Sequence, residues 1–123
     1  MNHNGCVTDD LDELARAWWE GRRLADGTRD ERKRWSLGEP LDVAEASERA
    51  QRIVEDGGEQ ALELVMALLR SSPDETGPAM VGAGPLEDLV TGHGDDLAPR
   101  LDELARQSPA FRRALASGWL ERP

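Results

Sequence analysis

An all-α fold, a compact bundle of about five to six helices or a short HEAT-like stack of helical hairpins, is what three features of this 123-residue sequence predict. Apolar residues recur at helical spacing in one segment after another, no segment alternates apolar and polar residues as a half-buried strand does, and glycine, proline or serine signals separate the segments. Helices joined by such short connections pack mostly antiparallel. The length matches one domain with one core. A single helical domain over residues 9–122 is therefore expected, behind a disordered polar tail of residues 1–8.

The first helix is predicted to start after Thr8, whose hydroxyl can cap free amides while Asp9, Asp10 and Asp12 favour the positive end of the helix dipole, and to run to about Leu24. Leu11, Leu14, Ala15 and Trp18 stand at i, i+3, i+4 and i+7 and form one apolar stripe, with Trp19 one step around it. The charged segment from Asp26 to Leu37 reads as a loop or a short solvated helix. Pro40 suits the first turn of the next helix, whose stripe is Val43, Ala46, Ala50, Ile53 and Val54 and which Gly57 and Gly58 end. From about Glu59 to Ser71, Ala61, Leu64, Val65, Leu68 and Leu69, widened by Leu62 and Met66, mark the central and most buried helix.

Ser72 and Pro73 break that pattern, a short helix with Pro78 in its early turns is expected over 74–81, and Gly82-Ala83-Gly84-Pro85 reads as a turn. Leu86, Leu89 and Val90 begin a short helix that Gly92 and Gly94 end; Asp95 or Asp96 caps the next, which turns Leu97, Leu101, Leu104 and Ala105 to the core. Ser108-Pro109 opens the last helix, with Phe111, Leu115 and Trp119 to bury. Leu-Asp-Glu-Leu-Ala-Arg occurs at 11–16 and again at 101–106, but the flanks differ and no regular period joins the copies, so it is not read as a repeat.

The net charge of −10 is distributed in blocks: −4 over residues 1–20, +3 over 21–35, −5 over 36–72, −6 over 73–99 and +2 over 100–123. Residues 73–99 contain no lysine or arginine. Such a field repels a phosphate backbone, so direct nucleic-acid binding is not expected, whereas a basic protein would be attracted. Part of the acidic excess serves solubility alone. The single cysteine, Cys6, excludes an internal disulfide and offers no CxxC spacing, the N-terminus lacks the order of a signal peptide, and no apolar run approaches a membrane span. A cytoplasmic location without membrane contact is the expectation.

Catalytic signals are sparse. Gly82 and Gly84 begin like a dinucleotide fingerprint, but Glu87 stands where the third glycine belongs and no strand precedes them, so a phosphate would meet Glu87 and Asp88 instead of bare amides. His93 with Glu87, Asp88, Asp95 and Asp96 nearby has the residue types for acid–base or metal chemistry, yet one histidine between glycines and carboxylates with ordinary capping duties do not make a converging ligand set. His3 and Cys6 would need further ligands from elsewhere. The serines lie in no nucleophile motif. Neither a catalytic residue, a resident metal nor a cofactor is expected. Four tryptophans beside one phenylalanine and no tyrosine suggest large anchors between helices.

Gly82-Ala83-Gly84-Pro85-Leu86-Glu87-Asp88-Leu89-Val90, followed by His93-Gly94, resembles an uncharacterised family of small bacterial helical domains. The resemblance extends to Ala17-Trp18-Trp19, to Ala61-Leu62-Glu63-Leu64-Val65 and to the ending Phe111-Arg112-Arg113-Ala114-Leu115 with Trp119, and so covers most of residues 11–120. It implies an all-helical fold and a cytoplasmic bacterial setting, and it carries over no catalytic residue.

The function expected on these grounds is a non-catalytic protein-binding module, such as an immunity or antitoxin-like inhibitor that covers a basic partner with the acidic surface of residues 73–99. Glu87, Asp88, His93, Asp95 and Asp96 are the expected contact residues, with Trp19 and Trp35, which flank the basic stretch, as exposed anchors. The alternatives are a small enzyme or metal-dependent protein centred on Glu87, Asp88 and His93, and a structural domain that self-associates as a homodimer through Trp19 or Trp35.

Overall fold

The computed structural model describes the backbone of residues 3–119 and the side chains of residues 10–117. Seven helices and no strand are present among the described residues: α1 (His3–Ala25), α2 (Arg29–Ser36), α3 (Leu41–Asp56), α4 (Gly58–Arg70), α5 (Gly77–Ala83), α6 (Pro85–Gln107) and α7 (Pro109–Trp119). α1 is helical from His3, so Thr8 lies inside it and not at its cap; the side chain of Thr8, and those of His3, Cys6 and Trp119, lie outside the described residues.

α4 is the helix around which the others gather, in contact with α1, α3, α5, α6 and α7. That is a cluster about one buried helix and not a row of hairpins, each touching its neighbours alone. The wide apolar stripe explains it: Ala61, Leu62, Leu64, Val65, Ala67, Leu68 and Leu69 are all buried, because residues spread over more than one face need partners on more than one side. Trp19 reaches α4 from α1 and donates its indole Nε1–H to the Leu68 carbonyl at 2.9 Å. The ring is buried and its one polar group is satisfied, which is what burial of an indole requires.

The segment from Asp26 to Leu37 resolves as a helix. Thr28 accepts from the Glu31 amide while the Glu31 carboxylate accepts from the Thr28 amide, a reciprocal cap that starts α2. Arg23 adds a bond to Glu31 at 3.0 Å and another to Glu20 at 2.7 Å, tying α1 to α2. α3 ends at Gly57, whose φ of 73° is open to glycine at little cost, and Ser108 opens α7 by accepting from the Phe111 amide at 3.1 Å.

The main departure from expectation is α6. Gly92 and Gly94 do not end a helix, and Asp95 and Asp96 do not cap one; a single helix runs from Pro85 to Gln107 with Pro99 inside it. Two interior glycines cost about 1 kcal/mol each and an interior proline about 3. Against this, α6 buries Leu86, Leu89, Leu97, Leu101 and Leu104, each contributing roughly 1.5–3 kcal/mol relative to exposure. Tertiary burial outweighs the local penalty, and Pro99 is exposed, so the carbonyl that it leaves without a helical donor faces water.

α5 and α7 pack closely. A Cβ on Gly82 would overlap the backbone carbonyl of Ala114. The Gly82→Ala variant gains helix propensity of about 1 kcal/mol yet should lose roughly 1–3 kcal/mol net by forcing the helices apart. Urea unfolding checks this: a variant as stable as the parent would contradict the packing described.

Candidate functional site

His93 is the residue that the long helix repositions most. It lies in the middle of α6, where its Nε2 is 2.8 Å from the Glu55 carbonyl in the last turn of α3. Its ring lies over Gly57, where any Cβ would collide with it. The imidazole therefore caps the C-terminal end of α3, whose final carbonyls have no helical donor. This placement corrects the expectation of a histidine presented by a turn.

The His93 tie brings Glu55 and Asp56, at the end of α3, against the middle of α6, within a turn of Asp95 and Asp96. No basic residue occupies the last turn of α3. Glu55, Asp56, Asp88, Asp95 and Asp96 are exposed and have no ion pair among the described residues. Glu87 is half-buried and has an interaction partner, so it differs from its neighbour Asp88. Thr91, Gly92, Gly94 and the two aspartates frame a shallow polar hollow of about 260 Å³ along this stretch. Among the described residues, no three of the histidine, cysteine, aspartate and glutamate side chains converge as metal ligands would.

The tryptophans behave differently from expectation. Trp19 is not an exposed anchor: it is 8% exposed, because α4 passes over it and supplies the Leu68 carbonyl. Trp35 is half-buried, its ring edge resting on Gly21 of α1, where the missing side chain leaves room. Among the described residues, the large apolar ones that are exposed are Leu37 and Leu41, on either side of the α2–α3 turn, at 67% each.

A second concavity, of about 290 Å³, lies between α1, α4 and α6 and went unpredicted. Its floor is Leu11, Leu62, Met66 and Leu104, and Glu59, Glu63, Arg70 and Arg100 surround it. Leu62 and Met66 are the residues that widen the α4 stripe; Leu62 is covered, and Met66, half-buried, is where the cover is incomplete. Arg100 holds Glu59 through Nε, 3.1 Å from both carboxylate oxygens, and through Nη2 at 2.6 Å, and it also pairs with Glu103. Arg70 reaches Asp12 at 3.0 Å. The hydrogen bonds that Arg100 donates to Glu59 hold the Glu59 carboxyl below its usual range and raise the guanidinium of Arg100.

Fold and surface together define an all-helical domain that offers uncompensated carboxylates and a small apolar slot. The chain belongs to a family of unknown function, DUF6869, which it matches over residues 36–123. The match takes in α3 to α7, including the Gly82 to Gly94 stretch, and leaves α1 and nearly all of α2 outside it. No curated protein and no solved structure matches the chain. No described helix is long and apolar enough to cross a membrane.

The Glu59–Arg100 pair has a defined acid response. A carboxyl whose folded value lies below its unfolded value, about 4.3, stabilises the fold above that unfolded value and loses the contribution as pH falls through the folded one. Thermal unfolding followed from about pH 6 to pH 3 should show a smaller fall in Tm for Glu59→Gln than for the parent. Identical slopes would mean that the pair adds nothing.

Proposed function

We propose that the protein is a non-catalytic protein-binding module for a basic partner, of the kind that an immunity or antitoxin-like inhibitor represents, working in a bacterial cytoplasm. The observation that supports this reading is the group of exposed carboxylates, Glu55, Asp56, Asp88, Asp95 and Asp96, that have no ion pair among the described residues. Some carboxylates elsewhere, at Asp12, Glu20, Glu31, Glu59 and Asp102, are neutralised by arginines. Like charges left together raise the free energy of the isolated surface and lower it when a cationic surface covers them. They also speed encounter with such a partner. His93 holds α3 against α6 and so keeps the two groups of carboxylates together.

The test is capture of partners from the native cell by the parent and by the triple variant Asp88→Lys, Asp95→Lys, Asp96→Lys, with helix content checked by circular dichroism. A basic protein held by the parent, released by raised salt and absent from the folded variant is the expected outcome. Equal capture by both would remove the carboxylates from the function.

Self-association is a second reading, favoured by the exposure of Leu37 and Leu41 beside the basic face of α2, with Arg29, Arg32 and Lys33. Leu37 and Leu41 replace Trp19 and Trp35 as its apolar contacts. Sedimentation velocity over a hundredfold concentration range should then show a dimer that Leu37→Ser with Leu41→Ser returns to monomer; a parent that is monomeric throughout excludes it.

A further inference from the structure

Resting on the basic-partner reading above, we propose that the slot between α1, α4 and α6 receives one arginine or lysine side chain of that partner, its aliphatic stem on the floor and its charged head at Glu63. Three observations converge. The floor of Leu11, Leu62, Met66 and Leu104 is apolar and leaves about 290 Å³ open. Glu63, on its edge, is exposed and has no ion pair among the described residues. Both arginines of the rim are already neutralised, Arg70 by Asp12 and Arg100 by Glu59 and Glu103.

The two glutamates of the lining balance its two arginines, and Asp12 and Glu103, which pair with those arginines from beside the slot, tip the local charge toward a cation. An anion would have to break the Arg100 pairs to be accepted. A purely aliphatic side chain would fill the floor and leave Glu63 unanswered. Arginine and lysine carry an apolar stem and a charged tip in one side chain, the combination that this slot presents in complement. Its position fits the rest of the surface: the His93 tie to Glu55 and the Arg100 tie to Glu59 lie about two turns apart along α6, so the slot continues the acidic strip toward the far end of α4.

Met66 makes the slot observable. With methyl-labelled methionine in the full chain, Met66 reports the floor and Met80, which lines a different hollow beside Trp19, serves as the internal control. Titration with a hexa-arginine peptide should move the Met66 methyl resonance saturably and leave Met80 in place. A hexa-citrulline peptide, neutral and of nearly the same shape, should not bind. Glu63→Gln, an exposed change that leaves the core intact, should weaken the response about two- to fivefold, the range of an exposed ion pair.

A Met66 resonance indifferent to the arginine peptide, an equal response to citrulline, or an undiminished response in Glu63→Gln would each overturn the proposal. A Met66 shift on concentrating the peptide-free protein would assign the slot to a second copy and overturn it as well. The two readings separate when the same titration is followed on protein that also carries nitrogen-15 in its amides. Amide shifts at Asp95 and Asp96 without Met66 would sink the slot and keep the acidic face, whereas Met66 shifts without them would keep the slot and sink the face.

Discussion

Burial of α4 on several sides is the constraint from which the rest of this architecture follows. A helix with Leu62, Leu64, Val65 and Leu68 at no more than 1% exposure cannot lie on a surface, and each such side chain loses roughly 1.5–3 kcal/mol if uncovered. α1, α3, α5, α6 and α7 supply the cover. The indole of Trp19 shows how narrowly it is drawn, since the ring reaches the Leu68 carbonyl and leaves no buried polar group of its own unmet. The floor of the slot is the remaining flank of α4, where Met66 is covered only in part.

Continuity of α6 is the second consequence. A break at Gly92 or Gly94 would redirect the chain between Leu89 and Leu97 and release His93 from the end of α3. As one helix, α6 carries His93 to Glu55 and, about two turns later, Arg100 to Glu59. These two polar contacts fasten α6 to the α3–α4 corner from outside while the leucines fasten it from within. The same contacts divide the surface charge. The nearest arginines along the chain, Arg52 and Arg100, are engaged by Glu48 and by Glu59 with Glu103, and the carboxylates around His93 have no ion pair among the described residues.

Much of this was legible in the sequence. The helical class, the central place of α4, the helix ends at Gly57 and Ser108-Pro109, and the acidic block of residues 73–99 all follow from residue type and spacing, because apolar periodicity and capping chemistry act within a few residues. Helix α2 was half legible: the Thr28 to Glu31 spacing of a reciprocal cap is there to be read, but a segment with no buried residue has no apolar stripe to announce it.

Four features were decided by the tertiary structure. Trp18 and Trp19 are neighbours in one helix, and which of them α4 would cover depends on Leu68, distant in sequence. His93 looked like a turn residue until α3 came within reach of it. The slot exists because α1 and α6 stop short of each other above Met66, a distance that no local pattern encodes. Gly92, Gly94 and Pro99 state a local preference of about 1 to 3 kcal/mol each, and the buried leucines on either side of them outweigh it. The sequence by itself determined what each segment prefers and which charges it carries; the assembled fold decided which preferences were overridden, because contacts between distant segments outweigh local propensity wherever several large apolar side chains are buried together.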